Sequence, residues 1–101
     1  MNKNDIKDAV YKAVKTMPQG GTIRRVRLFG SQLHGNAHPD SDVDLLVDFD
    51  DTAPIGLFEL VRIQDMFAKA LDRTVDLGTP DALSKYIRDS VLAEAETLYE
   101  R

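Results

Sequence analysis

The sequence predicts an α+β domain, an α/β sandwich in which helices cover a small β-sheet. Three observations carry that prediction. Apolar residues recur at helical spacing over residues 6–17 and again over 57–71, they alternate with acidic residues over 42–49, and a short β-rich run stands at 74–77. A period near 3.6 residues gathers apolar side chains on one helix face, whereas a period of 2 gathers them on one face of a strand.

In chain order, Ile6, Ala9, Val10, Ala13, Val14 and Met17 form the first helical stripe, which Pro18-Gln19-Gly20-Gly21 ends. Ile23 to Phe29 is rich in β-formers, with Val26 and Leu28 at its apolar end, and predicts a strand. Gly30-Ser31 interrupts it. A short helix is predicted from Ser31 to about Leu33, then a loop from His34 to Ser41 through Gly35, Asn36, Pro39 and Asp40. Val43, Leu45, Val47 and Phe49 alternate with Asp42, Asp44, Leu46 and Asp48, which predicts a strand with one buried face. A loop through Asp51-Thr52-Ala53-Pro54 follows.

Gly56 to about Leu71 reads as a long helix with Leu57, Leu60, Val61, Phe67, Ala68 and Leu71 on its core stripe. Phe58, Ile63 and Met66 lie off that stripe; because the stripe is wide some of them belong to the core, and a lesser reading makes them a second contact surface for a partner helix. Thr74-Val75-Asp76-Leu77 predicts a short strand that Gly78 ends. Thr79 suits an N-cap, Pro80 the first helical position and Asp81 the positive end of the dipole. Leu83, Ile87, Val91, Glu94 and Leu98 then extend a helix toward the end of the chain. Residues 50–73 are long enough for a helical crossover between parallel strands. The predicted order is α-β-(α)-β-α-β-α.

The chain has 101 residues, 43% of them hydrophobic and 30% charged, which is the size and balance of one soluble domain spanning residues 1–101. A domain this small has no room for an enclosed cavity, so a site must be open and shallow or completed by a partner. Seventeen acidic against thirteen basic residues give a net charge of −4, the wrong sign for a nucleic-acid or anionic-membrane binder. No apolar run approaches the roughly 20 residues that cross a bilayer, and the polar start Met1-Asn2-Lys3-Asn4-Asp5 carries no secretory signal. The expected compartment is the cytoplasm. With no cysteine, thiolate metal sites and disulfides are excluded, and oxygen or imidazole ligands remain.

Chemistry concentrates between Leu28 and Leu46. Gly30-Ser31 ends a strand, ten residues follow, and the next strand carries Asp42 and Asp44 two residues apart. Residues at that spacing share a strand face, with Cα atoms about 7 Å apart. Val43, Leu45 and Val47 claim the core, so both carboxylates belong to the other face. Two such charges at ~4 Å repel by about 4 kcal/mol at an effective dielectric near 20, unless water screens them or a cation joins them. All-oxygen ligands with open positions suit Mg²⁺ or Mn²⁺, which commonly bridge to phosphates. Metal-free, the pair should hold a shared proton at raised pKa.

Gly30 lets a phosphate approach the backbone, and N–H groups at a helix start with the Ser31 hydroxyl make an anion cradle. A dication facing such a cradle is what phosphoryl or nucleotidyl transfer requires. Asp76, flanked by core-facing Val75 and Leu77, is the candidate third carboxylate, as proton acceptor or metal ligand. Asp40, Asp48, Asp50 and Asp51 read as a solvated acidic surface, and His34 and His38 as loop residues rather than ligands. Arg24, Arg25 and Arg27 read first as charges that keep an edge strand soluble, and second as charge offered to a nucleotide or an acidic partner.

At these residues the chain resembles the minimal nucleotidyltransferases, the MntA-like antitoxins of the DNA polymerase β-type superfamily. The likeness rests on Gly30-Ser31, the ten-residue spacer and Asp42-Val43-Asp44, and it runs through Pro39–Val47 and Val75–Leu83. The resemblance implies a polymerase-β-like palm, a small mixed sheet with helices mainly on one face. It implies transfer of AMP from ATP with Mg²⁺, two ions or Mn²⁺ in their place. Gly30 and Ser31 then hold the triphosphate, and Asp42, Asp44 and Asp76 bind metal, with Asp76 activating the acceptor hydroxyl.

It also implies a partner, a HEPN-family ribonuclease toxin silenced by AMPylation of a tyrosine. The family often has arginines after Gly-Ser, where this chain has Gln32, Leu33 and His34, a departure that predicts weaker hold on the triphosphate. Two other functions fit the sequence: an antitoxin that neutralises by binding alone, and nucleotidyl transfer to a small molecule.

Overall fold

The computed structural model describes residues 2–30, 42–52 and 55–101. Helix α1 spans Lys3–Thr16 and starts with a reciprocal cap, in which Asn2 Oδ1 accepts the Asp5 N–H at 2.9 Å and the Asp5 carboxylate accepts the Asn2 N–H at 3.3 Å. Its Ile6, Val10, Ala13 and Val14 are buried, as their spacing predicts. After Met17 the chain turns tightly through a short 3-10 segment, Gly20–Thr22.

That turn depends on one missing methyl group. A Cβ at Gly20 would stand 1.9 Å from the Val14 carbonyl oxygen, a backbone atom that cannot step aside, while a Cβ at Gly21 meets nothing within 4 Å. Gly20→Ala should therefore destabilise the protein by about 2–3 kcal/mol, and Gly21→Ala by less than about 0.5 kcal/mol, as read from paired urea-denaturation curves.

Strands β1 (Ile23–Phe29), β2 (Val43–Phe49), β3 (Val75–Gly78) and β4 (Glu96–Glu100) form one sheet in the order β3-β2-β1-β4. β1 is antiparallel to both β2 and β4, whereas β2 and β3 are parallel, so the sheet is mixed. Helix α2 (Leu57–Leu71) connects the parallel pair, as a crossover must. Helix α3 (Lys85–Glu94) precedes β4.

Several expectations are corrected. The predicted final helix stops at Glu94, because Ala95 takes an extended conformation and the remaining chain pairs with β1; Leu98 is buried from a strand, not a helix. The helix does not start at Thr79 either. Pro80–Ala82 is a single 3-10 turn, Thr79 makes no side-chain cap, and Ser84 caps α3 by accepting the Tyr86 N–H.

Within α2 the core stripe is Ile63, Phe67 and Leu71, while Leu57 and Phe58 are 72% and 80% exposed. Apolar residues cover a wide arc of this helix opposite Arg62, Asp65 and Lys69, so periodicity alone did not choose which part of the arc is buried.

The core lies on one face of the sheet. Ile6, Val10 and Val14 of α1 and Ile63, Phe67 and Leu71 of α2 pack there against the inward residues of the strands, among them Val26, Leu28, Val43, Leu45, Val47 and Val75. The other face carries Asp44, Asp48, Arg25 and Arg27, with Leu46 fully buried among them.

β4 makes β1 an interior strand, so its arginines do not guard an edge. Arg27 Nη2 lies 2.7 Å from Asp48 Oδ2, and Arg25 Nε lies 3.2 Å from the same oxygen and 3.6 Å from Glu100. Asp48, expected on a solvated surface, has a side chain only 14% exposed between two guanidinium groups. Asp50 likewise has a partner, the Arg101 guanidinium, which also donates to the Gly21 carbonyl at 2.9 Å and fastens the end of β4.

Candidate active site

The parallel register of β2 and β3 sets Asp44 directly opposite Asp76. Their neighbours Val43, Leu45 and Val75 are buried in the core, so alternation turns both carboxylates to the open face. Asp44 is half-buried, and Asp76 and Asp42 are exposed. The Asp44 and Asp76 carboxyl groups lie within hydrogen-bonding reach of each other, and the charge of Asp42, just ahead of β2, also acts on Asp44.

Together these raise the Asp44 pKa above its ordinary 3.8, with burial the leading cause, then the charge of Asp76, then that of Asp42, then the hydrogen bond to Asp76. Mutual repulsion is thus present as the spacing predicts, but desolvation outweighs it.

Gly30 closes the site from the end of β1. Its predecessor Phe29 pairs with Asp44 across the antiparallel ladder, which brings the Gly30 backbone against the Asp44 side chain. Gly30 has φ +80°, and a Cβ there would stand 2.3 Å from Asp44 Oδ2. Only glycine meets both demands. The atom in the way is the end of a side chain, so substitution displaces the carboxylate more than it disrupts the fold.

Gly30→Ala should cost about 1–2 kcal/mol of stability from the left-handed backbone, and reduce any chemistry that depends on Asp44 about 100-fold through the misplaced carboxylate. Parallel melting and initial-rate measurements separate the two effects.

Ser31, Gln32, Leu33, His34, His38 and Asp40 lie outside the described residues. Of the predicted site residues, the structure brings together Asp44, Asp76 and Gly30, with Asp42 at the margin. Among the described residues, no three acidic or imidazole side chains form a group that could hold a metal ion. Three carboxylates that repel one another need not close on a common point.

The donor set nevertheless suits Mg²⁺. Two adjacent carboxyl groups supply hard oxygens, and Mg²⁺ typically takes one or two carboxylates, with water and substrate phosphate completing its shell. Sequence reasoning passed over Gln64 of α2, whose Oε1 accepts the Leu77 N–H at 3.0 Å beside Asp76. A polar position off an apolar stripe gives no signal of such a bond. Among the described residues, no helix is long and apolar enough to cross a membrane.

Residues 8–98 match the family described as the nucleotidyltransferase domain. The chain is 35% identical over 72 residues to the protein adenylyltransferase MntA of Thermococcus cleftensis, a match covering 71% of each chain. It superposes on the structure of a candidate minimal nucleotidyltransferase with a TM-score of 0.73 and 33% identity, covering 94% of both chains. A chain of a toxin–antitoxin crystal structure with AMP-PNP matches with TM-score 0.73 and 25% identity, over 94% of this chain and 73% of that one. The paired acids at the head of two parallel strands, the glycine corner that abuts them and the matched residues 8–98 together place this chain in the nucleotidyltransferase domain family, as a minimal nucleotidyltransferase with the polymerase-β-like fold.

Proposed function

We propose that this chain is a Mg²⁺-dependent protein adenylyltransferase and an antitoxin, which moves AMP from ATP to a tyrosine of a HEPN-family ribonuclease toxin. The observation that carries this is the Asp44–Asp76 pair set against the Gly30 backbone. Relatives named as a protein adenylyltransferase and as a toxin–antitoxin with AMP-PNP support the acceptor class, the partner and the nucleotide. We assign the activity to one domain, residues 1–101, working in the cytoplasm where ATP is abundant and forming a hetero-oligomer with the toxin.

In this reading Gly30 and Ser31 receive the triphosphate, because a glycine corner admits a phosphate to the backbone and Ser31 adds a hydroxyl donor. Asp44 and Asp76 hold the metal, with Asp42 supplying a further oxygen. Bound Mg²⁺ neutralises charge developing on the reacting phosphate and lets the acidic side chains sit together. Asp76, exposed at the rim, accepts the proton of the tyrosine hydroxyl. The tyrosine oxygen then bonds to the α-phosphorus, the bond from that phosphorus to the β-phosphate oxygen breaks, and diphosphate leaves with the electron pair.

The test is incubation with ATP labelled at the α-phosphate, Mg²⁺ and a purified HEPN-family toxin. Label should pass to a toxin tyrosine, and Asp42→Ala with Asp44→Ala should abolish both transfer and neutralisation. Neutralisation that survives that double variant, without label on the toxin, would replace the catalytic reading with stoichiometric masking. Label on a small molecule when no protein partner is present would shift the acceptor class instead.

A further inference from the structure

We propose that Gln64 is a positioning residue, which ties the outer edge of β3 and so holds the Asp76 carboxyl beside Asp44. This rests on the role given to Asp76 above. β3 is four residues long and lies at the edge of the sheet, so among the described residues β2 alone holds it by ladder hydrogen bonds. The Val43 N–H donates to the Thr74 carbonyl at 2.9 Å. In a parallel ladder the residues that bond to the neighbour alternate, so the backbone of Asp76 faces β2 and the Leu77 N–H points off the sheet.

An outward N–H on an edge strand has no strand partner. Here Gln64 reaches across from α2 and its Oε1 accepts that proton at 3.0 Å.

Asp44 lies on an interior strand and Asp76 on an edge strand. β2 is held by a strand on each side, whereas among the described residues β3 is held by β2 on one side and by contacts from α2 on the other. Gln64 lines an open groove of about 520 Å³ between α2 and β3, shared with Lys69, Thr74 and Val75. Water entering that groove can satisfy the freed N–H, so loss of the amide should loosen the strand without unfolding the protein.

Gln64→Met keeps the length of the side chain and removes the acceptor; Gln64→Glu keeps an acceptor oxygen. The full chain is assayed for AMP transfer to its HEPN partner, and exchange of the Leu77 amide is followed by NMR. Gln64→Met should speed Leu77 exchange and lower kcat, each about tenfold, with KM for ATP unchanged within about twofold. Gln64→Glu should keep Leu77 protected and kcat within about threefold of the parent.

The signature of action through Asp76 is non-additivity: in an Asp76→Asn background, Gln64→Met should change the residual kcat by less than about twofold. A kcat effect that multiplies in full with Asp76→Asn, an unchanged kcat despite fast Leu77 exchange, or a Gln64→Glu variant as impaired as Gln64→Met each overturns the positioning role. If Asp76→Asn by itself leaves kcat intact, it is the catalytic reading of Asp76 that has failed, and Leu77 exchange still reports whether the tether exists.

Discussion

Replacing Asp44 by asparagine should abolish AMP transfer while making the metal-free protein more stable. The amide keeps the shape that fits against Gly30 but carries no charge. In the metal-binding role proposed for Asp44, losing a contact worth several kcal/mol in the transition state corresponds to a fall in rate of about 10³-fold or more. The gain in stability follows from the direction of the Asp44 pKa.

A carboxyl whose folded pKa lies above its unfolded value binds its proton more tightly in the native state. Stability from this group is therefore highest below the ordinary value of 3.8, falls as pH rises from there through the raised native value, and stays reduced at neutral pH. Solvent screening at this half-open position keeps the expected gain small. Melting in chelator at pH 7 should accordingly rise by about a few degrees for Asp44→Asn, and the difference from the parent should shrink as pH falls toward 3.8. A variant that melts lower than the parent at pH 7 would show that the carboxylate contributes more through its contacts than it costs through repulsion.

Phe67→Ala should nearly unfold the protein. Phe67 is fully buried where α2 meets α1 and the sheet, and among the described residues it is the largest of the fully buried side chains. Truncating a buried phenylalanine costs about 3–5 kcal/mol, against a total stability of about 5–15 kcal/mol for a domain of this class. Phe58, nine residues earlier on the same helix, is 80% exposed, and Phe58→Ala should change stability by less than about 0.5 kcal/mol. Urea midpoints for the pair test the face that α2 buries. Equal losses at both positions would mean that the helix is rotated about its axis from the orientation described.

The candidate site was more legible in the sequence than the rest of the fold, for a physical reason. Strand alternation is strict, so Val43, Leu45 and Val47 on one side oblige Asp44 to face the other, and the same logic places Asp76 between Val75 and Leu77. The last third of the chain was less legible. Leu98 stands four residues after Glu94 and continues a helical step, yet it belongs to a strand, because the free edge of β1 offers hydrogen bonds that no local pattern reveals. Asp48 looked like one acid among several on a surface. Its burial between Arg25 and Arg27 needs the register of β1 against β2.

By itself the sequence determined which residues could carry the chemistry, where the main strands run and which way their acids point, since period and side-chain type act within a few residues. The tertiary structure decided what meets what. It chose the buried face of an α2 that is apolar on several sides, turned a predicted helix end into a fourth strand, pressed Gly30 against Asp44, and brought Gln64 to the edge beside Asp76. Those outcomes depend on packing and pairing between segments far apart in the chain, where the free energy of a contact is shared by both partners and neither segment carries it alone.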